Sequence, residues 1–214
     1  MKLSMKLLVS HGVAATALLF AQLASAGTIV GSAHDFSTNG WSGGEVCKTC
    51  HAPHNNLNTT GLLWNHAQTV ATFTLYSSPT MNATTGQPAG TSKLCLSCHD
   101  GPVALDSFGG ATGTSFIGTG DRIGTALGND HPISITYDAA LVTADGSLAL
   151  VTKPVTIGSG GQSKTGTVQS MLLTADKVEC ASCHDVHNTY TTGGDNLLKV
   201  SNANSALCLT CHTK

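Results

Sequence analysis

The sequence predicts a mostly irregular fold with little regular secondary structure, in which short helical turns form at four cysteine motifs and a small β-hairpin lies between them. Two observations predict it. Only 10% of the 214 residues are charged and 5% are aromatic, so few large side chains are available to build a core. The eight cysteines, moreover, recur in pairs at one constant spacing. A chain of this length forms one domain or two small ones, and its interior needs filling by something besides side chains.

The first 26 residues have the pattern of an export signal. Lys2 and Lys6 precede an apolar run at 13–23, and the small residues 24–26 come before Gly27. The run is too short to cross a bilayer comfortably, which disfavours a membrane anchor. We therefore expect a signal peptide at 1–26 and a secreted mature chain at 27–214, extracellular or periplasmic, with no membrane span.

Charge and composition exclude two further classes of protein. Loss of two lysines with the signal changes 10 basic and 12 acidic residues to 8 and 12, a net charge of about −4. A nucleic-acid-binding domain would need a basic excess, so no nucleic-acid partner is expected. The low charge and the regular cysteine placement also disfavour a disordered polymer.

All eight cysteines lie in four copies of the pattern Cys-x-x-Cys-His. The cysteines are Cys47 and Cys50, Cys95 and Cys98, Cys180 and Cys183, and Cys208 and Cys211; the histidines that follow them are His51, His99, His184 and His212. This pattern is the attachment site of c-type haem. Two thiols at this spacing form thioethers to one porphyrin, and the next imidazole binds the iron as its proximal ligand. The sequence therefore predicts four covalently bound haems c.

Three other interpretations of the cysteines fit less well. Disulfide cysteines have no reason to be followed by histidine each time, zinc would be satisfied by two such pairs without the histidines, and a thioredoxin-like redox motif would not occur four times. Four haems would also supply the apolar interior that the side chains lack. The predicted fold class is thus a haem-packed multihaem cytochrome c.

The flanks of the motifs sort them into two pairs, so the chain resembles two copies of a two-haem unit. Residues 51–55 and 184–188 both run from a proximal histidine to a second histidine and an asparagine, and 92–99 resembles 205–212. The units cover about 27–100 and about 176–214, with a Gly/Thr/Ser-rich insert at about 101–175. Within the insert, runs at 133–137 and 147–152 around the turn signal Asp145-Gly146 predict the hairpin.

A second protein ligand closes a haem iron to small molecules and suits it to electron transfer. Apart from His11 in the signal and the proximal residues, five histidines are candidates for this distal ligand: His34, His54, His66, His131 and His187. Four are expected to be used and one is spare. The alternative for each is a histidine bonded to the backbone. Met81 and Met171 are further candidates that the supply of histidines makes unnecessary.

His54 and His187 each lie three residues after a proximal histidine, on the same side of a helical turn. Neither can reach the opposite face of the neighbouring iron, so each must serve a different haem if it serves any. That arrangement would bring haems into contact. Asp130, beside His131, is a candidate hydrogen-bond partner for that imidazole.

A family resemblance rests on six segments of the chain. These are GlySerAlaHisAspPhe (31–36), CysHisAlaProHisAsn (50–55), TrpAsnHis (64–66), LeuCysLeuSerCysHisAspGly (94–101), AspHisProIleSer (130–134) and CysHisAspValHisAsn (183–188). Together they resemble multihaem cytochromes of the doubled CxxCH type, and in size and haem number the chain is similar to the tetrahaem extracellular cytochrome nanowires of the OmcE-like group.

The resemblance implies bis-histidine haems in alternating parallel and T-shaped pairs, and subunits that polymerise head to tail into a filament. It also implies that one histidine of each subunit completes a haem in its neighbour. That role is carried onto His54, with a haem near the C-terminal motif as acceptor.

The favoured function is therefore electron transfer, with no catalytic residues. The protein would act as a filament made of copies of itself or as a monomeric periplasmic shuttle, passing electrons to other redox proteins or to extracellular acceptors. The rival is a reductase of a small nitrogen or sulfur compound, which needs an iron with an open face. The glycosylation signals at Asn58 and Asn82 are treated as chance.

Overall fold

Regular secondary structure is sparse in the computed structural model, which describes residues 28–54, 63–194 and 196–214. The chain is 25% helical and the sheets are small, which confirms the mostly irregular fold class. The signal segment and Asn58 lie outside the described residues. Within the described residues, no helix is both long and apolar enough to cross a membrane.

Five helices and four strands make up the regular part of the described chain. The helices are α1 (Gly90–His99), α2 (Ala139–Asp145), α3 (Val168–Leu172), α4 (Cys180–Cys183) and α5 (Ala206–Cys211), and the strands are β1 (Ile135–Thr136), β2 (Pro154–Ile157), β3 (Lys164–Thr167) and β4 (Lys177–Val178). Strand β1 pairs antiparallel with β4, and β2 pairs antiparallel with β3.

The β-hairpin exists, but the predicted positions of its strands were wrong. It is formed by β2 and β3, with Val155 opposite Gly166, whereas β1 pairs with β4 of the following unit. Residues 139–145 between the two predicted runs form α2, because the Asp138 carboxylate accepts a hydrogen bond from the Leu141 amide at 2.8 Å and caps the helix. Gly146 ends that helix with a φ of 68° instead of forming a hairpin turn.

Small apolar clusters in and around the insert supply a side-chain core. The largest consists of Ile135, Tyr137, Val142, Val168 and Val178, and a second contains Val155, Ile157 and Leu172. Cys211 of the fourth motif packs against both. The insert is therefore packed on the last cysteine motif and is not a free loop.

Tyr137 connects this core to the fourth motif by hydrogen bonds. Its side chain is 3% exposed, and its hydroxyl lies 2.7 Å from the Ala149 carbonyl oxygen and 3.1 Å from that of Cys211. Burial raises the pKa of Tyr137, so the hydroxyl stays protonated and able to donate.

We expect Tyr137→Phe to lower the free energy of unfolding by about 1–2 kcal/mol, because a buried carbonyl loses its donor while the ring still packs. Denaturant unfolding followed by circular dichroism measures the change. Tyr76→Phe, at a half-buried tyrosine outside the clusters, is the control and should change stability by less. Equal stability of the wild type and Tyr137→Phe would contradict the prediction.

Candidate haem sites

Each cysteine motif forms the same local structure, a single helical turn. The His51 amide donates to the Cys47 carbonyl at 2.8 Å, His184 to Cys180 at 3.0 Å and His212 to Cys208 at 2.9 Å. The second motif ends helix α1, where the same turn continues a longer helix. The helical turn predicted at each motif is therefore confirmed, and it places both thiols and the following imidazole on neighbouring positions.

Cysteines of consecutive motifs lie close enough to shift one another's pKa. Burial raises the pKa of Cys98 to about 12, and the neighbouring charge of Cys50 adds to the effect, which connects the first and second motifs. The thiol of Cys95 is hydrogen-bonded to the sulfur of Cys180, and this raises the pKa of Cys95 well above its ordinary value.

The third and fourth motifs meet in the same way. Burial raises the pKa of Cys211 to about 11, with a further contribution from the charge of Cys183. Cysteines of each motif thus lie near those of the next motif along the chain. All eight cysteines are free thiols here, so the disulfide interpretation receives no support.

Six histidines face each other in three pairs across a gap of nearly constant width. The pairs and the distances between their ring centroids are His34 with His99 at 6.1 Å, His51 with His187 at 6.1 Å, and His131 with His212 at 6.3 Å. Imidazole nitrogens bind metal ions at about 2.0 Å, which separates two rings on opposite sides of one ion by roughly 6 Å. Each pair joins one proximal histidine with one distal candidate, and its spacing fits an iron between the rings.

Hydrogen bonds of two paired histidines, His99 and His131, and of the proximal His184 leave the correct nitrogen available. The carbonyl oxygen of Asp121 lies 2.8 Å from Nδ1 of His99, that of Pro132 2.9 Å from Nδ1 of His131, and that of Asn196 2.6 Å from Nδ1 of His184. A proton on Nδ1 that is donated to a carbonyl leaves the lone pair of Nε2 free for a metal. Contrary to expectation, the partner of His131 is thus the Pro132 carbonyl and not Asp130.

Burial also favours the neutral imidazole that a metal requires. The pKa of His34 is lowered, mainly by burial and further by the charges of His99 and His184. A neutral His34 ring therefore faces His99 over a wide range of pH.

His66 differs from the other candidates in both burial and bonding. Its side chain is 1% exposed, with Nδ1 2.8 Å from the Ala67 carbonyl oxygen and Nε2 3.0 Å from that of Ala104. A backbone carbonyl therefore lies within hydrogen-bond distance of each nitrogen, and the Cys98 sulfur lies 3.7 Å from Nε2. This is the environment of a structural histidine, and it makes His66 the best candidate for the spare one.

Two histidines remain, the proximal His184 and the distal candidate His54, and both are exposed. Among the residues that the structure describes, neither faces a second imidazole at the distance found in the three pairs. The methionine candidates do not replace them, because Met81 and Met171 pack against the apolar clusters.

No three side chains of His, Cys, Asp or Glu converge on one point in the described parts of the chain. The histidines are arranged in twos, which suits the two axial positions of a haem, whereas structural zinc takes four protein ligands. The donor set and its spacing therefore fit haem c at the motifs.

Asp185 is a functional residue that the sequence reasoning missed. Its carboxylate accepts hydrogen bonds from the amides of His187 at 3.1 Å, Thr189 at 3.0 Å and Tyr190 at 2.8 Å. These bonds fold the loop that carries His187 toward His51. An aspartate directly after a CxxCH motif, which also occurs at Asp100, is the signal that could have revealed it.

We expect His66→Gln to leave the visible spectrum of the haem protein low-spin, because backbone carbonyls lie beside both nitrogens of His66. His131→Gln is the matched variant, and it should produce a high-spin fraction because it removes the ring opposite His212. Absorption and electron paramagnetic resonance spectra of the purified proteins distinguish the two outcomes. A high-spin signal from a folded His66→Gln protein would show that His66 is a ligand.

Comparison with known proteins supports the chemistry of the C-terminal motifs. Residues 173–214, which hold the third and fourth motifs, match the family described as the doubled CXXCH motif. No curated protein matches the chain. The match supports a multihaem c-type cytochrome with covalently bound haem c and a role in electron transfer, a class typically found in the periplasm or outside the cell.

Proposed function

We propose that this protein transfers electrons along a chain of four bis-histidine haems c. The observation that carries the proposal is the trio of imidazole pairs at 6.1–6.3 Å, each of which joins a histidine of a CxxCH motif to one from a distant segment. Pairing of this kind leaves no open face for a small molecule, which favours electron transfer over a reductase.

The cysteine contacts support a continuous path. Cys95 is hydrogen-bonded to Cys180, and Cys50 lies near enough to Cys98, and Cys183 to Cys211, to raise the pKa of its neighbour. Bound haem c supplies an iron that alternates between the ferric and ferrous states. The chain supplies the axial ligands and the short spacing between sites, and two histidines on each iron favour low potentials.

We expect the intact mature protein to carry four haems, measured as four haem masses by mass spectrometry under denaturing conditions. The reduced protein should not bind carbon monoxide. The double variant Cys95→Ser/Cys98→Ser should lose one haem mass and keep three. Fewer than four haems in the wild type would contradict the proposed number, and carbon monoxide binding would favour the reductase.

We also propose that copies of the chain assemble head to tail, with His54 of one copy opposite His184 of the next. The support is that these two histidines, and no other pair of candidates, are left over when the three facing pairs and His66 are set aside. Both are exposed, His54 after Pro53 and His184 two residues before Val186, whose side chain is 39% exposed. The exposed ligand His54 on one surface and the incomplete haem site at His184 on another form a heterologous contact between two copies. Contacts of this kind build open-ended chains of subunits.

Secretion of the mature chain at 27–214 belongs to the same proposal, because a filament outside the cell could pass electrons to extracellular acceptors or to other redox proteins. The monomeric shuttle is the alternative. It requires His54 to reach His184 within one chain.

We expect wild-type protein to form filaments in negative-stain electron micrographs, and His54→Ala to form only discrete particles with a high-spin haem. His187→Ala is the matched control: it also removes one ligand, from the pair with His51, and should give a similar high-spin signal while filaments persist. Wild-type protein that stays as discrete particles at all concentrations, or filaments formed by His54→Ala, would rule out the assembly.

A further inference from the structure

Glu179 is a buried carboxylate at the junction of the second and third cysteine motifs. Its side chain is 3% exposed, and among the described residues no basic side chain forms an ion pair with it. Its Oε2 accepts hydrogen bonds from the Ser92 amide at 3.2 Å, the Ser92 hydroxyl, and the Ser134 hydroxyl at 3.0 Å. A buried charge with no counter-ion is costly unless several donors satisfy it, and here several do.

This carboxylate caps helix α1 from a distant part of the chain. The residue before the helix, Ala89, has no side chain that could cap it, and Ser92 is the third residue of the helix. Glu179 therefore replaces the local cap and places its negative charge at the positive end of the helix dipole. Gly90 makes room for it, because a Cβ there would lie 3.0 Å from Oε1.

The same residue also orders the third motif. The Glu179 amide donates to the Ser182 hydroxyl at 2.9 Å within a capping box of helix α4, and the Cys180 amide donates to the Ser92 hydroxyl at 2.9 Å. One glutamate thus holds the starts of two haem-attachment helices together, next to the contact between Cys95 and Cys180.

We propose that Glu179 is a positioning residue that fixes the junction of the second and third motifs and lowers the reduction potentials of the two haems attached there. This inference rests on the proposed electron-transfer function, but it requires haems only on those two motifs. A ferric haem carries one more positive charge than a ferrous one, so a fixed negative charge nearby favours the ferric state. The effect is strong because the carboxylate is shielded from water.

The test is a spectroelectrochemical titration of the complete haem protein. We expect Glu179→Gln, which keeps the shape of the side chain and removes the charge, to raise the midpoint potentials of two haems. The expected size is a tenfold change in the redox equilibrium, about 59 mV for one electron. The control is Glu45→Gln, which removes the exposed glutamate just before the first motif and should leave the titration unchanged.

A second variant keeps the proposal testable if Glu179→Gln does not fold. Ser134→Ala removes one donor to the carboxylate, so its charge is less compensated and the same two potentials should fall. A purely structural Glu179 would change stability but not potentials. A folded Glu179→Gln protein that titrates like the wild type, or a Ser134→Ala protein whose potentials are unchanged, would overturn the proposal. A wild-type protein without haem on these motifs would instead contradict the proposed function.

Discussion

The hydrogen bond that closes each CxxCH turn is the constraint on which the rest of the structure depends. When the histidine amide bonds to the carbonyl of the first cysteine, as His51 does with Cys47 at 2.8 Å, five residues are fixed in one helical turn. Both thiols and the imidazole then belong to a single rigid element, which can present only one ligand to one face of a haem. The other face has to be completed by a different part of the chain, so every site requires a long-range contact.

The sequence predicted the parts of the site that are local. The spacing of the cysteines is enough to identify the turns, because the hydrogen bond that closes each turn joins residues only four apart in the sequence. Sequence reasoning also narrowed the distal ligands to five histidines. It could not separate His66 from the others, because the Ala104 carbonyl that occupies its Nε2 lies 38 residues away along the chain. Nor could it pair His34 with His99, since no sequence pattern links them.

The predicted strand positions of the hairpin were wrong for a related reason. Residues 133–137 do contain a strand, but the choice of its partner depends on competition between segments. Asp138 starts a helix at once, which removes the nearby partner, and Lys177–Val178 takes its place. Short strands with weak patterns are assigned by tertiary packing more than by local propensity. The general fold class was predictable because composition limits it, whereas the pairing and register of the strands were not.

The insert shows how a chain with few large side chains can still contribute side chains to its interior. Its apolar residues pack around Tyr137 and Val168 and against Cys211 of the fourth motif, while His131, which also belongs to the insert, faces His212. The insert therefore supplies both a packed core and an axial ligand to the same motif. Composition indicated that something besides side chains would fill the interior, yet in this part of the chain apolar side chains share that role.

The pairing of His51 with His187 has the largest consequence for the architecture, because it connects the two halves of the doubled sequence. A metal bound between these rings would close a loop containing most of the mature chain. The entropic cost of closing a loop rises only slowly with its length, so a long connection costs little more than a short one. Once the first and third motifs share a site, the contact between Cys95 and Cys180 brings the second motif to the same place. These two long-range contacts bring the first three motifs together, and the packing of Cys211 against the apolar clusters places the fourth.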